Sequence, residues 1–286
     1  MDGIVIVDKP QDWTSQDVVS KLRGVFQTRR IGHGGTLDPM ATGVLPVFVG
    51  RATRGVEFFE HAEKTYEAVI RLGIHTDTED ITGTVLDEKE VNITEAQFLT
   101  ALESFRGEIQ QIPPMYSAIK VNGQKLCDLA RKGKEVERKP RTITIYRLEC
   151  REFTGTTARL LVHCSKGTYI RTLCKDIGVA LGCGGCMESL RRVSAGEYTI
   201  ENAIALHTLI ESEAPGAYLL PVDSMFMAYP AVELTAKQEK CCRNGVAFTC
   251  NLEEGTYRVY DQKGEFLALS HMVEGKLTTI KSFWAV

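Results

Sequence analysis

The chain lacks long apolar segments, a secretory signal and an excess of positive charge. None of its apolar runs approaches the roughly 20 residues of a membrane-spanning helix. Its first residues, MDGIVIVDKP, have neither the basic start nor the long apolar core of a signal peptide. We therefore expect a cytoplasmic protein without a membrane partner. A length of 286 residues suffices for one large domain accompanied by a smaller one.

The net charge of −3 does not by itself favour an RNA partner. The charges are unevenly distributed, however, and their distribution matters more than their sum. Residues 120–147 contain nine lysines and arginines against three acids, whereas residues 73–103 contain eight acids and one lysine. This pattern favours one basic face and one acidic face. The alternative is that both runs are ordinary solvated surface.

A second C-x-x-C pair is missing, although Cys241, Cys242 or Cys250 could supply further metal ligands. Cys183 and Cys186 have the C-x-x-C spacing of a metal site, but a structural zinc site normally has two such pairs. The other cysteines of this chain do not form a second pair with that spacing. We therefore expect no metal site, and thiols that are reduced and mostly buried.

The hydrophobic pattern predicts an α+β protein. Apolar or alternating runs predict strands at residues 3–8, 44–49, 66–72, 143–153 and 158–163. Capping boxes at Thr14–Asp17 and Thr94–Gln97 predict helices that extend to about residues 26 and 105. Further helices are predicted at 169–181, 188–195 and 201–213, and short alternating stretches after residue 256 predict a small β-rich module.

The segment from Gly32 to Pro46, GHGGTLDPMATGVLP, differs from the rest of the chain. Gly34 and Gly35 permit backbone angles and close approaches that side chains forbid, and Pro39 restricts the preceding Asp38 to extended geometry. These residues predict a rigid loop that presents one carboxylate. Nucleophiles and general bases are usually held in this way. The alternative is that Asp38 caps a helix, because Asp followed by Pro is a common helix start.

This segment resembles the catalytic motif of the bacterial TruB family of tRNA pseudouridine synthases. Four other segments resemble that family and follow in its order: GIVIVDKPQDWTS, KTYEAVIRLG, IPPMYSAIKVNGQKLCDLARKGKEVERKPR and CSKGTYIRTLCKDIG. Together they extend from about Gly3 to Arg192, and so many motifs in one order are more specific than any single motif. The resemblance implies an enzyme that isomerises uridine 55 in the T arm of tRNA to pseudouridine, without a metal or other cofactor.

The resemblance also implies the architecture. We expect the pseudouridine synthase fold, with a mixed and mainly antiparallel sheet and helices around a central cleft. Residues 1–227 should form the catalytic domain, in which residues 116–141 are a mobile insertion that clamps RNA. Residues 228–286 should form a small β-rich, PUA-like RNA-binding domain, although the resemblance is weaker there.

Three residues match the family's catalytic positions. Asp38 resembles the catalytic aspartate, Tyr66 the tyrosine that stacks on the target base and is a candidate proton acceptor, and Arg171 the arginine that pairs with the aspartate. Without the resemblance, an ordinary core tyrosine of a strand is an open alternative for Tyr66, and periodicity alone favours a helix-surface arginine for Arg171. Whether Asp38 attacks the base, attacks the sugar or removes a proton from the sugar is left open.

Further positions match residues near the substrate. His33 resembles a histidine that takes up the space vacated by flipped nucleotides, and Leu190 a leucine that packs in the active site. Lys9 resembles a residue that supports the catalytic loop near the site, and Tyr169 belongs to the GTYIRT motif that we assign to substrate binding.

Contacts with RNA should come from the basic insertion. Folded RNA is read largely through its phosphates and shape, so we expect Lys132, Lys134 and Arg138 to bind backbone phosphates. We predict a monomer that acts on the T stem-loop of tRNA without a guide RNA. The alternatives are an RNA-binding module or tRNA folding chaperone without catalytic activity, and a guide-RNA-dependent relative of the archaeal and eukaryotic type, which the lack of lysine-rich tails disfavours.

Overall fold

The computed structural model describes residues 1–121 and 123–284. In chain order its strands are β1 (Gly3–Lys9), β2 (Ile31–His33), β3 (Thr42–Val49), β4 (Lys64–Leu72), β5 (Ile74–Thr76), β6 (Val85–Glu88), β7 (Gly107–Gln111), β8 (Lys120–Val121), β9 (Gln124–Lys125), β10 (Arg141–Phe153), β11 (Thr157–Cys164), β12 (Gly185–Ala195), β13 (Tyr198–Thr199), β14 (Ile204–Ala205), β15 (Ala231–Glu233), β16 (Phe248–Thr249), β17 (Gly255–Tyr260), β18 (Phe266–Val273) and β19 (Lys276–Ser282).

The helices lie between these strands in the sequence. They are α1 (Ser15–Val25), α2 (Val56–Phe59), α3 (Glu95–Glu103), α4 (Leu126–Ala130), α5 (Ile170–Ala180), α6 (Leu206–Glu211) and α7 (Ala236–Arg243). Short 3₁₀ helices are found at Gly50–Gly55, Ile200–Asn202, Pro215–Tyr218 and Val222–Phe226. Within the described residues, no helix is long and apolar enough to cross a membrane.

The chain divides into two compact units. The first unit contains Met1–Asp38, Leu45–Glu60 and the chain from Glu201 onward, and the second contains Pro39–Val44 and His61–Ile200. Asp38 is therefore the last residue of one segment of the first unit. The strand β3 contributes residues to both units.

The second unit is built on a sheet in which β3, β12, β4, β11, β10 and β7 are neighbours in that order. The strands pair antiparallel except for β3 with β12. Along β4, Tyr66, Ala68 and Ile70 are buried whereas Glu67 is exposed, which is the period-2 alternation of a sheet with one covered face. Helix α5 packs against β12 and β4, and α3 packs against β10.

The first unit contains two groups of strands. In one of them β14 pairs in parallel with β1, which is next to β3, and β2 pairs antiparallel with β3. The second is the C-terminal five-stranded sheet, with the order β15, β17, β18, β19, β16. Its core includes the buried residues Leu234, Val259, Leu267 and Leu277. The β-rich character predicted for this end of the chain is confirmed, and the boundary at residue 227 stays a prediction.

The α+β class and the mixed, mainly antiparallel sheet predicted from the sequence are confirmed. Both predicted capping boxes are present, because Thr14 and Thr94 accept hydrogen bonds from the backbone N–H of Asp17 and Gln97. The helix predicted at 169–181 is α5. The insertion at 116–141 contains β8, β9 and α4.

The helix predicted at residues 188–195 is wrong. These residues belong to β12, which lies between β3 and β4 and pairs with both strands. A strand inside a sheet can be covered on both faces, in which case its sequence shows no clean period-2 pattern. The helix predicted at 201–213 is also largely wrong, since it contains a 3₁₀ turn and β14 before the short α6.

A substitution of Gly43 tests how tightly β3 is packed against β12. Gly43 has φ of 99°, and a Cβ there would lie 2.2 Å from the carbonyl oxygen of Arg192. We expect Gly43→Ala to lower the free energy of unfolding by about 2–4 kcal/mol through strain and the backbone clash. Urea denaturation measures the change.

The control is Gly24→Ala, because Gly24 lies on the exposed side of α1 and a Cβ there would meet nothing within 4 Å. This change should raise the free energy of unfolding by about 0.4–1 kcal/mol, since alanine loses less backbone entropy on folding than glycine. Equal effects of the two substitutions would contradict the close approach at Gly43.

Candidate active site

Asp38 lies in the connection between β2 and β3. The residues that follow it form a turn at Pro39 and Met40 and then enter β3. The alternative interpretation of Asp38 as a helix cap is therefore wrong. Its side chain is half-buried, so the connection holds a partly accessible carboxylate, as the sequence predicted.

Ser15, in the first turn of α1, fixes the backbone next to Asp38. Its hydroxyl accepts a hydrogen bond from the Leu37 N–H at 2.8 Å and donates one to the Leu37 carbonyl at 3.2 Å. Ser15 is 1% exposed. Buried backbone groups outside regular structure need hydrogen-bonding partners, and Ser15 satisfies both groups of the residue that precedes Asp38.

The two glycines before Asp38 have different reasons, close packing at Gly34 and a left-handed backbone conformation at Gly35. A Cβ at Gly34 would lie 2.4 Å from a ring atom of Phe59, and Gly35 has φ of 87°. The Gly34 N–H donates to the Pro46 carbonyl at 2.9 Å. The connection is therefore fixed on its β2 side as well, where the half-buried His33 lies opposite Val47 of β3.

Lys9 is a fully buried cation at the end of β1. Its ammonium group donates to the carbonyls of Pro10 at 2.8 Å and Trp13 at 2.5 Å. These bonds hold the connection that leads to Thr14 and α1. The geometry thus indicates that Lys9 supports the chain, and its contact with substrate stays a prediction.

Tyr66 and Leu190 lie on one buried face of the second unit's sheet. Tyr66 of β4 is opposite Arg192 of β12, and the next pair on this face joins Ala68 with Leu190. Tyr66 and Leu190 are each 8% exposed. The structure thus brings together two of the predicted site residues from sequence positions more than a hundred residues apart.

Arg171 lies in the first turn of α5 and is 4% exposed. Its guanidinium donates to the Thr78 carbonyl at 3.0 Å and to the Tyr116 carbonyl at 2.7 Å. Its Nε lies 3.9 Å from a carboxylate oxygen of Asp80. Arg171 is therefore a buried and oriented cation rather than the helix-surface arginine that periodicity alone would predict.

The loop from Thr76 to Gly83 holds α5 in place, a role that the sequence did not reveal. Glu79 accepts hydrogen bonds from the hydroxyl of Thr172 at 2.5 Å and the ammonium of Lys175 at 2.7 Å. Asp80 accepts from the hydroxyls of Thr78 at 2.9 Å and Thr82 at 2.6 Å.

Glu79 and Asp80 are only 7% and 6% exposed. The acidic run of residues 73–103 is therefore not uniformly solvated surface. The dense TDTED sequence, in which short hydroxyl side chains alternate with acids, was the available signal, because such hydroxyls can satisfy a buried carboxylate.

Two further buried cations lie beside Tyr66. Arg192 is 1% exposed and donates from Nε to the Val44 carbonyl at 2.7 Å. Lys64, two residues before Tyr66 on the same face of β4, donates to the Ala62 carbonyl at 2.5 Å. Burial, and secondarily the positive charge of Arg192, lowers the pKa of Lys64 to about 8.

The three residues of the insertion that are predicted to contact RNA differ in their exposure to solvent. Lys132 and Lys134 are exposed. Arg138 is partly buried, and its guanidinium donates to the Pro113 carbonyl at 3.3 Å and to Glu135 at 3.0 Å. Arg138 therefore connects the C-terminal part of the insertion with the segment just before it, whereas the two lysines are exposed to solvent.

The cysteine pair Cys183 and Cys186 is buried. Burial raises the pKa of the Cys186 thiol to about 11, which favours a neutral thiol over a metal-binding thiolate. Among residues 1–121 and 123–284, no group of three or more His, Cys, Asp or Glu side chains is placed to hold a metal ion.

The predicted site residues fall in both units. Asp38, His33 and Lys9 belong to the first unit, whereas Tyr66, Lys132, Lys134, Arg138, Tyr169, Arg171 and Leu190 belong to the second. The carbonyl contacts described above for Lys9 lie within the first unit, and those for Arg171 lie within the second. The arrangement provides a constrained carboxylate in one unit, and a buried tyrosine with an oriented guanidinium in the other.

The fold is that of pseudouridine synthases. The chain aligns with a protein of an H/ACA ribonucleoprotein bound to a substrate RNA containing 2′-deoxyuridine, with a TM-score of 0.74 and 25% identity over 99% of this chain and 85% of that chain. It aligns similarly with a chain of a complex of Cbf5, Nop10 and Gar1, with a TM-score of 0.73 and 27% identity over the same fractions.

The family is defined by sequence. Residues 23–170 match the N-terminal domain of TruB family pseudouridylate synthase, and residues 171–227 match the tRNA pseudouridylate synthase B C-terminal domain. A Clostridium kluyveri protein named tRNA pseudouridine synthase B is 42% identical over 99% of this chain and 100% of its own length. A protein of the same name from Dechloromonas aromatica is 44% identical over 91% of this chain and 88% of its own length. The chain belongs to the TruB family of pseudouridine synthases, as its motifs predicted.

The buried ammonium of Lys64 predicts a dependence of stability on pH. Its pKa is about 8 in the folded chain against an ordinary value of 10.5, so between these values the unfolded chain binds a proton that the folded chain does not. The contribution of Lys64 to the free energy of unfolding should therefore rise with pH across this window. We expect Lys64→Met to be more stable than the wild type at pH 7, by about 1–3 kcal/mol.

This advantage should shrink as the pH approaches 10, as measured by urea denaturation of both proteins across that range. Lys21→Met, at an exposed position of α1, controls for the loss of a lysine charge as such. A difference between Lys64→Met and the wild type that does not change with pH would contradict the prediction.

Proposed function

We propose that this protein isomerises uridine 55 in the T arm of tRNA to pseudouridine. The observation that carries this proposal is the match of residues 23–227 to the two TruB family domains, with full-length relatives named tRNA pseudouridine synthase B. The rigid connection that presents Asp38 supports it, because such a reaction needs one precisely held carboxylate.

The reaction breaks the bond between C1′ of the ribose and N1 of the uracil, turns the base and joins C1′ to C5. The proton at C5 is then lost, and N1, which no longer carries the sugar, takes up a proton. The reaction is therefore an isomerisation without net oxidation or hydrolysis. We propose Asp38 as the essential carboxylate, which acts by attack on the base, attack on the sugar or removal of a sugar proton. Tyr66 stacks on the base and is the candidate proton acceptor.

The other residues prepare the site for this step. Arg171 is proposed as the counterion that keeps the catalytic carboxylate ionised, because a nearby guanidinium favours the charged form. Leu190 packs against the substrate, and Tyr169 contributes to the same pocket. A uridine inside folded RNA must be extruded before reaction, and His33 is proposed to take up the space that the flipped nucleotides leave.

Recognition of the tRNA is assigned to the insertion at residues 116–141 and to the C-terminal domain at residues 228–286. Lys132 and Lys134 are exposed within the basic stretch, and we propose that they bind phosphates, with Arg138 beside them. The protein acts as a cytoplasmic monomer and without a guide RNA in this proposal. An RNA-binding protein without catalytic activity is the competing function, and the first experiment separates the two.

The first experiment incubates the purified protein with an unmodified tRNA transcript that carries tritium at C5 of its uridines. Formation of the C1′–C5 bond releases this tritium to water. We expect release by the wild type and none above background by Asp38→Asn, because the amide keeps the shape of the side chain but is neither a nucleophile nor a base. A transcript that lacks the T-arm uridine should release none.

Each other outcome has a defined meaning. Binding of tRNA without release by the wild type would favour the RNA-binding alternative. Release that appears only after a guide RNA is added would contradict stand-alone action. Release by both proteins would keep the enzyme and remove Asp38 from its proposed role.

The second experiment tests the insertion. The double substitution Lys132→Ala with Lys134→Ala should weaken tRNA binding and make the plot of log affinity against log salt shallower by about 1.5, since each phosphate contact contributes 0.7–0.9 to that slope. Arg138 is left unchanged because it also bonds the Pro113 carbonyl. Lys21→Ala is the control, and an unchanged slope in the double variant would contradict the proposed phosphate contacts.

A further inference from the structure

Gln111 is a residue with a buried side-chain amide, and it is not among the site residues that the sequence predicted. It is the last residue of β7 and is 2% exposed. Its side chain accepts a hydrogen bond from the Tyr169 N–H at 2.9 Å and donates one to the Tyr169 carbonyl at 3.0 Å. One side chain thus satisfies both backbone groups of a residue that is distant in sequence.

Tyr169 is the residue at which α5 begins. It is the N-cap of the helix, yet no side chain of its own segment caps the helix. Its carbonyl accepts the first helical hydrogen bond, from the Leu173 N–H at 3.0 Å, in addition to the bond from Gln111. Because both lone pairs of this oxygen and the N–H are used, Gln111 defines where and at what angle α5 starts.

Arg171 connects the same two chain segments, the one at Gln111 and the one at Tyr169, but here the side chain belongs to the second segment. Its guanidinium, two residues after Tyr169, donates to the Tyr116 carbonyl, five residues after Gln111. The side chain of each segment therefore bonds the backbone of the other. This pair of contacts encloses the segment that contains Pro113 and Pro114 and ties the start of the insertion to the start of α5.

We propose that Gln111 is a positioning residue for catalysis, which acts by fixing the orientation of the Arg171 guanidinium. The inference rests on the proposed function, in which Arg171 serves the reacting carboxylate. Release of the Tyr169 backbone would allow the first turn of α5 to shift, and a shift of about 1 Å in a catalytic group costs up to roughly 100-fold in rate. Arg171 would still be present and charged, but wrongly placed.

The neighbouring glutamine provides a matched control. Gln110 lies on the same strand, is exposed, and donates from its side chain to the hydroxyl of Thr142 at 2.8 Å. Replacing either glutamine by methionine keeps the length of the side chain and removes its hydrogen bonds. The two variants therefore differ in which contact is lost and not in the chemistry of the substitution.

The experiment measures single-turnover pseudouridine formation with saturating enzyme, together with tRNA affinity and the fraction of folded protein. For Gln111→Met we expect a rate per folded enzyme that is roughly 10- to 100-fold lower, with tRNA affinity nearly unchanged. Gln110→Met should react like the wild type. Loss of folded protein with a normal rate per folded molecule would show a purely structural role and would overturn the proposal.

A double-mutant cycle tests whether Gln111 acts through Arg171. In an Arg171→Lys background the arginine geometry is already lost, so Gln111→Met should slow the reaction by much less than it does in the wild type. Residues that act as one unit show such non-additive effects, whereas independent sites add. Additive losses would overturn the proposed route.

Hydrogen exchange separates this inference from the proposed function. The amide proton of Tyr169 should exchange faster in Gln111→Met than in the wild type or Gln110→Met, whether or not the enzyme is active. A wild type that forms no pseudouridine would refute the proposed function and with it the catalytic role of Gln111, even if exchange at Tyr169 increases. An active wild type with unchanged exchange and rate in Gln111→Met would refute the positioning role alone.

Discussion

The structure depends on buried polar side chains that hydrogen-bond to the backbone of irregular segments. A loop that carries a reactive group lacks the ladder bonds of a strand or helix, so its N–H and carbonyl groups must find other partners. Ser15 supplies both partners for Leu37, next to Asp38, and Gln111 supplies both for Tyr169, at the start of the helix that carries Arg171. Two different side chains thus meet the same need next to two proposed catalytic residues.

The buried cations follow from the same constraint. Removing a charged group from water is costly unless hydrogen bonds and opposite charges replace the lost solvation. Arg171 is satisfied by two carbonyls and lies near Asp80, whereas Lys9 is satisfied by two carbonyls in its own connection. Carbonyl dipoles fix a cation without neutralising it. These carbonyl contacts orient each cation, and for Arg171 a carboxylate oxygen of Asp80 adds an opposite charge 3.9 Å from Nε.

Local signals in the sequence predicted most of the fold, whereas features that depend on contacts between distant parts of the chain were missed. The capping boxes of α1 and α3 depend on residues three positions apart, so they were correct, as were strands with clear alternation such as β4. The strand β12 was mistaken for a helix because its environment is set by β3 and β4, which are far away in the chain. The helix-cap interpretation of Asp38 failed because the pattern Asp-Pro fits both a helix start and the turn that leads into β3.

Non-local contacts limit the prediction of the site even more than that of the fold. The residues that support the site can be recognised only from the groups that they contact in the folded chain. Glu79 and Asp80 look like solvated acids in an acidic run, yet they are buried against α5, where they meet Thr172, Lys175 and Arg171. Net charge and charge runs therefore do not distinguish such residues from solvated ones, since the charge of each buried acid is offset by the base that it contacts. The motif residues were identifiable because family resemblance carries information about distant contacts. Gln111 and Ser15 lie next to or within those motifs, and only the geometry of their hydrogen bonds distinguishes them from ordinary polar residues.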